Sequence, residues 1–108
     1  MNKQPEYLYL LRPTRMDMLR DGPEPREAAA IAGHFAYLQQ LLAEGTLVLA
    51  GRTRISDERT FGMVVFRAAD DAAAQAIVDA DPAVAGEVMR AELFPYQIAL
   101  LSPELKKP

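Results

Sequence analysis

The chain has 108 residues and a mass of 11.9 kDa, enough for one domain that buries roughly two-thirds of its unfolded surface and too little for two. It is 50% hydrophobic and 25% charged, with a net charge of −3 and a mean hydropathy of −0.07. This excludes disordered and collagenous chains and argues against a dedicated nucleic-acid binder, which would carry a basic face. The lack of cysteine and the single histidine, His34, exclude a disulfide framework, a thiolate nucleophile, Cys-ligated metal and a multi-histidine metal site within one chain.

The opening stretch, Met1 to Glu6, lacks the apolar core of a signal peptide, and the longest apolar runs are about half a membrane span. A cytoplasmic protein with no membrane partner is expected. The first apolar run, Tyr7-Leu8-Tyr9-Leu10-Leu11, is short, aromatic-rich and stopped by Arg12-Pro13, so it predicts a buried strand. Residues 13–26 hold Pro13, Pro23, Pro25 and Gly22, with charges from Arg15 to Glu24. They predict a long loop of the kind that forms lids and binding loops.

From about Arg26 to Glu44 the period becomes helical. Ile31, Phe35, Leu38 and Leu42 recur on one face, and Gly45 stands where a helix C′ residue belongs. Thr46 to Gly51 and Phe61 to Arg67 predict two strands joined by a polar connection, Arg52 to Thr60, as in a hairpin. Asp70 or Asp71 caps a second predicted helix with Ala73, Ala76, Ile77 and Ala80 on one face. Asp81-Pro82 ends that helix, and a short turn or helical piece follows from Ala83 to Glu87. A last strand is expected over Met89 to Leu101, with Phe94, Tyr96, Ile98 and Leu100 on one face. Pro95 places it at a sheet edge.

The order βαββαβ, with right-handed crossovers, predicts an α+β ferredoxin-like fold: a four-stranded antiparallel sheet in the order 4-1-3-2, with two helices on one face. It forms a single domain over 1–108, with its core at about 6–101, a long loop at 13–26 and a tail at 102–108. The sheet's other face is apolar and uncovered, and a second copy packed against it is the simplest cover.

Three sets of residues could carry chemistry. His34 falls on the shoulder of the apolar stripe, about 60° from Ile31 on a helical wheel; it is either a half-buried functional histidine or a boundary histidine bonded to a nearby carbonyl. Asp81 reads as turn chemistry in Asp79-Ala80-Asp81-Pro82, or as an acid at the wrong end of a helix dipole in need of a partner. A histidine in reach would serve both, with the carboxylate fixing the imidazole tautomer and leaving the other nitrogen as a general base. Nine of the 12 basic residues are arginine, most of them solvated surface charge. Arg12 and Arg52 stand at the ends of predicted strands and offer forks for a carboxylate. Glycine-rich phosphate loops and a serine nucleophile elbow are absent.

Four segments in order then resemble one family. They are His34-Phe35-Ala36-Tyr37-Leu38; Glu44-Gly45-Thr46-Leu47 with Ala50-Gly51; Ala80-Asp81-Pro82-Ala83-Val84-Ala85-Gly86; and a strand ending Phe94-Pro95-Tyr96. Together they closely resemble the YCII-related family across about residues 6–100. The resemblance implies a ferredoxin-like dimeric α/β barrel with a cleft in each subunit, where His34 and Asp81 meet as an acid–base pair. The best-known activity of that family is dehydrochlorinase-type elimination on a hydroxylated aromatic, and related barrels include isomerases and cofactor-free monooxygenases. The Pro13–Pro25 loop is longer than the family pattern.

The expected protein is a cofactor-free acid–base catalyst of lyase or isomerase type, acting on a small organic molecule. His34 and Asp81 would be catalytic, Arg12, Tyr37 and Arg52 would bind substrate, and no metal would be held. The alternative is a non-catalytic dimeric binding or accessory module, in which His34–Asp81 is a structural hydrogen bond.

Overall fold

The computed structural model describes residues 4–106. The first strand, β1 (Glu6–Pro13), holds the Tyr-Leu-Tyr-Leu-Leu run and lies between two neighbours. A central strand, flanked on both sides, carries apolar residues at successive positions rather than at alternate ones when little of it meets water. Tyr7, Leu8, Tyr9 and Leu11 are all at most 9% exposed. The remaining strands are β2 (Leu47–Arg52), β3 (Gly62–Arg67) and β4 (Met89–Tyr96), and the order is β2-β3-β1-β4 with every pair antiparallel. This is the ferredoxin-like α+β sheet that the element order predicts. Pro95 sits on the edge strand β4, where one flank needs no donors.

The helices are α1 (Asp17–Asp21), α2 (Pro25–Ala43), α3 (Asp71–Asp79) and α4 (Pro82–Ala85). One core joins Leu38 and Leu41 of α2 and Ala74 and Val78 of α3 to Tyr7, Tyr9, Leu11, Val64 and Phe66 on one face of the sheet. Tyr9 meets the edge of Phe66 with ring centres 5.7 Å apart, a geometry aromatic pairs favour.

Several boundaries differ from the sequence expectation. The strand expected to stop at Leu11 continues through Arg12 and Pro13, paired with Arg90 and Met89. Its β3 partner ends at Gly62 opposite Leu11, so the proline nitrogen meets no ladder there. The 13–26 segment is not a plain loop: it contains α1, and α2 begins at Pro25 behind a capping box of Glu24 and Glu27. The last strand ends at Tyr96 rather than Leu101, and the Ile98 amide donates to Glu6 Oε1. The tail carries a 3-10 turn at Pro103–Lys106; its last residues, 107–108, and the opening residues 1–3 lie outside the described residues.

The α2 helix is also turned relative to the expected stripe. Leu38 and Leu41 are buried, whereas Phe35 and Leu42 are 63% and 59% exposed. Its apolar arc is wide enough for either orientation, and polar bonds choose between them. The Tyr37 hydroxyl donates to the Ile77 carbonyl at 2.7 Å, and His34 bonds Asp81. Gly33 lets α4 approach closely, since a Cβ there would lie 3.2 Å from Pro82 Cβ. His34 is therefore on the inward face of α2, not on its shoulder.

Candidate active site

The site is built at the junction of α3 and α4. Pro82 stops α3 from continuing, which leaves Asp81 in an extended conformation (φ −65°, ψ 121°) as the N-cap of α4. The acid expected at the unfavourable end of one helix thus caps the start of the next, and its Oδ1 accepts the Ala83 amide at 2.9 Å. Asp81 is fully buried. A buried carboxylate survives only when its lone pairs are used, and here they are. His34 Nδ1 lies 2.7 Å from Oδ2 and 2.9 Å from Oδ1, and the Tyr9 hydroxyl donates to Oδ2 at 2.8 Å.

Because the carboxylate accepts from Nδ1, that nitrogen carries the ring hydrogen. Nε2 of the neutral ring then keeps a free lone pair. The His34 side chain is 19% exposed and lines a cavity of about 630 Å³, within the size range of small-molecule sites. The arrangement is a histidine held by a buried acid through one ring nitrogen, on the wall of a space that a molecule can enter. Chemically it can take up and return a proton at Nε2.

Tyr9 is the residue that sequence reasoning missed. Burial and the adjoining Asp81 carboxylate push its ionisation well above the usual tyrosine range, so it remains a neutral donor. The available signal was alternation along β1, which puts Tyr7, Tyr9 and Leu11 on the helix-facing side. Tyr7 makes a parallel bond to Asp71 Oδ1 at 2.8 Å.

The other expected binding residues separate. Arg52, at the end of β2, lines the cavity. Arg12 does not: in β1 it alternates to the opposite face, 3.6 Å from Glu92 Oε1, with its guanidinium 5.7 Å from the Phe61 ring centre. Tyr37 does not line the cavity either, and its hydroxyl is taken by Ile77. A second missed pair braces one wall. Arg15 grips Glu27 with two hydrogen bonds, of 2.9 and 2.6 Å, and so fixes the segment whose Met18 and Leu19 wall the cavity. This bond holds the Glu27 carboxyl down at about 2. Among the described residues no group of three or more acidic or histidine side chains could hold a metal ion, and no helix is long and apolar enough to cross a membrane.

The profile of the YCII-related domain matches residues 7–97. No curated protein matches the chain. Among solved structures, it is similar to the 5-chloro-2-hydroxyhydroquinone dehydrochlorinase (TftG) from Burkholderia phenoliruptrix AC1100, solved in complex with 2,5-dihydroxybenzoquinone. The TM-score is 0.59 at 18% identity, over 84% of this chain and 93% of that one. At that identity the likeness is one of fold.

Proposed function

The chain belongs to the YCII-related domain family, and from that premise we propose that it is a small acid–base enzyme acting on a compact organic molecule. His34 is the proton-transfer group and Asp81 its orienting partner. The observation that carries this reading is the 2.7 Å bond from His34 Nδ1 to the buried Asp81 carboxylate, with the ring facing a cavity. That geometry presets the tautomer in which Nε2 is the base. Elimination suits it: Nε2 takes a proton, the freed electron pair forms a double bond, and the leaving group departs with its own bonding pair. The dehydrochlorinase of similar fold makes a chlorinated hydroxyaromatic the first substrate class to test. The protein acts as a homodimer in the cytoplasm, paired through the sheet face that carries no helices.

A binding module is the second reading, and one observation favours it. Asp81 also caps α4 and anchors Tyr9, so the pair has a structural task as well. His34→Gln separates the two. Gln keeps much of the size of the ring but cannot act as a base near neutral pH. Turnover of 5-chloro-2-hydroxyhydroquinone or a related hydroxyaromatic, followed by product absorbance, is expected to fall by about 10²–10⁴-fold with binding nearly unchanged. Unchanged turnover in a folded His34→Gln protein would sink the mechanism. A loss of binding together with thermal stability would support the module.

A further inference from the structure

The charge of the cavity does not follow the charge of the chain. The protein is acidic overall, with 15 acidic and 12 basic residues, yet no Asp or Glu lines the cavity. Its polar lining consists of His34 on α2 and, from the β2–β3 hairpin, Arg52, Ser56 and Thr60. The rest is apolar. Thr60 is committed, since its hydroxyl bonds Thr53 Oγ1 at 2.9 Å. Arg52 is the arginine that lines the cavity. Five other arginines are paired, Arg15 with Glu27, Arg20 with Asp17 and Asp21, Arg59 with Asp57, Arg12 with Glu92 and Arg26 with the Gly86 carbonyl, and Arg54, Arg67 and Arg90 lie away from the cavity. Among the described residues no carboxylate or carbonyl accepts from the Arg52 guanidinium.

The backbone leaves this group room. Arg52 pairs with Gly62 across the hairpin, so no side chain stands opposite it on the cavity side, and Ala50 and Gly51 keep the neighbouring wall low. A guanidinium at the edge of an apolar cavity sits where solvent screens it less than on an open surface. It also presents a planar fork suited to a carboxylate or a phenolate-type oxygen pair. We propose that the cavity is a site for small organic anions: an apolar, ring-sized body between α2 and the sheet, with its negative group held by Arg52. This deepens the reading above, because it concerns the same cavity. If His34 withdraws a proton from the bound molecule, the negative charge that develops does so in a cavity holding one guanidinium and no acid.

The test uses benzoate, with benzamide as its neutral counterpart of nearly the same shape, and follows binding to the full-length protein by titration calorimetry. Benzoate is expected to bind about tenfold tighter than benzamide, the lower end for a charge-assisted bond at a partly exposed site. The preference should shrink as salt is raised. Arg52→Gln should abolish the preference while leaving benzamide affinity unchanged, and Arg52→Lys should keep part of it. Because Arg52 is exposed, both variants should fold, as their melting curves would confirm. Equal binding of the two probes, no detectable benzoate binding, or a preference that survives Arg52→Gln would each overturn the proposal. His34→Gln is the control that keeps the two readings apart: it should retain the benzoate preference even if the acid–base role of His34 fails.

Discussion

Asp81 is where three elements meet. Its carboxylate accepts from β1 through Tyr9, from α2 through His34 and from the first turn of α4 through Ala83. Removing the acceptor leaves several buried donors unpaired, whereas removing one donor leaves the carboxylate still held by the others. Asp81→Ala is therefore expected to destabilise the protein by about 3 kcal/mol or more, and Tyr9→Phe by only about 1 kcal/mol. The double variant should lose less than the sum, because both changes delete the same bond. Urea unfolding of the four proteins measures this directly. Additive losses would mean that the Tyr9–Asp81 bond contributes nothing.

At the scale of elements, the segment between β1 and α2 is tied to the body by Arg15 and Glu27. Glu27 is 2% exposed, and its Oε1 also accepts the Glu24 amide at 2.7 Å, so one carboxylate caps α2 and ties down the segment that walls the cavity with Met18 and Leu19. Its folded pKa lies at about 2 against an ordinary 4.5. A depressed acid contributes stability above its unfolded pKa and loses it as pH falls through the folded one. The contribution should therefore be complete above about pH 4.5 and vanish near pH 2. Glu27→Gln lacks it throughout. Thermal melts should show the variant less stable than the parent at pH 7, with the gap closing between pH 4.5 and 2. A constant gap across that window would show that the ion pair is not the cause.

At the scale of the whole molecule, the sheet has one face covered by helices and one without them. On the uncovered face Leu8 and Val65 are already nearly buried, at 9% and 1%. What remains open is concentrated on the edge strand, where Phe94 and Tyr96 are 39% and 44% exposed. Two aromatic rings on one strand face form the kind of apolar patch that marks an interface. A two-fold dimer through this face should bury more than about 1,200 Å² in total. Phe94→Glu would place a charge in that interface and should shift the species seen by light scattering from dimer to monomer. A parent protein that already scatters as a monodisperse 12 kDa particle at micromolar concentration would rule the dimer out.

The order of the elements was legible in the chain itself. Hydrophobic period, proline stops and glycine C-caps act within a few residues of one another, so β1, α2, the hairpin, α3 and the edge strand with Pro95 could all be read locally. That His34 and Asp81 would meet was also legible, because their segments resemble a family pattern. The rotation of α2, the placement of Arg12 and Tyr37 away from the cavity, and the bond from Tyr9 to Asp81 were not. These depend on which apolar face of a wide arc turns inward and on strand register, since a shift of one residue moves every side chain to the other face of the sheet. Tyr9 meets Asp81 across 72 positions and His34 meets it across 47. Local pattern carries no information about which side chains will meet at such separations; packing of the helices on the sheet decides it.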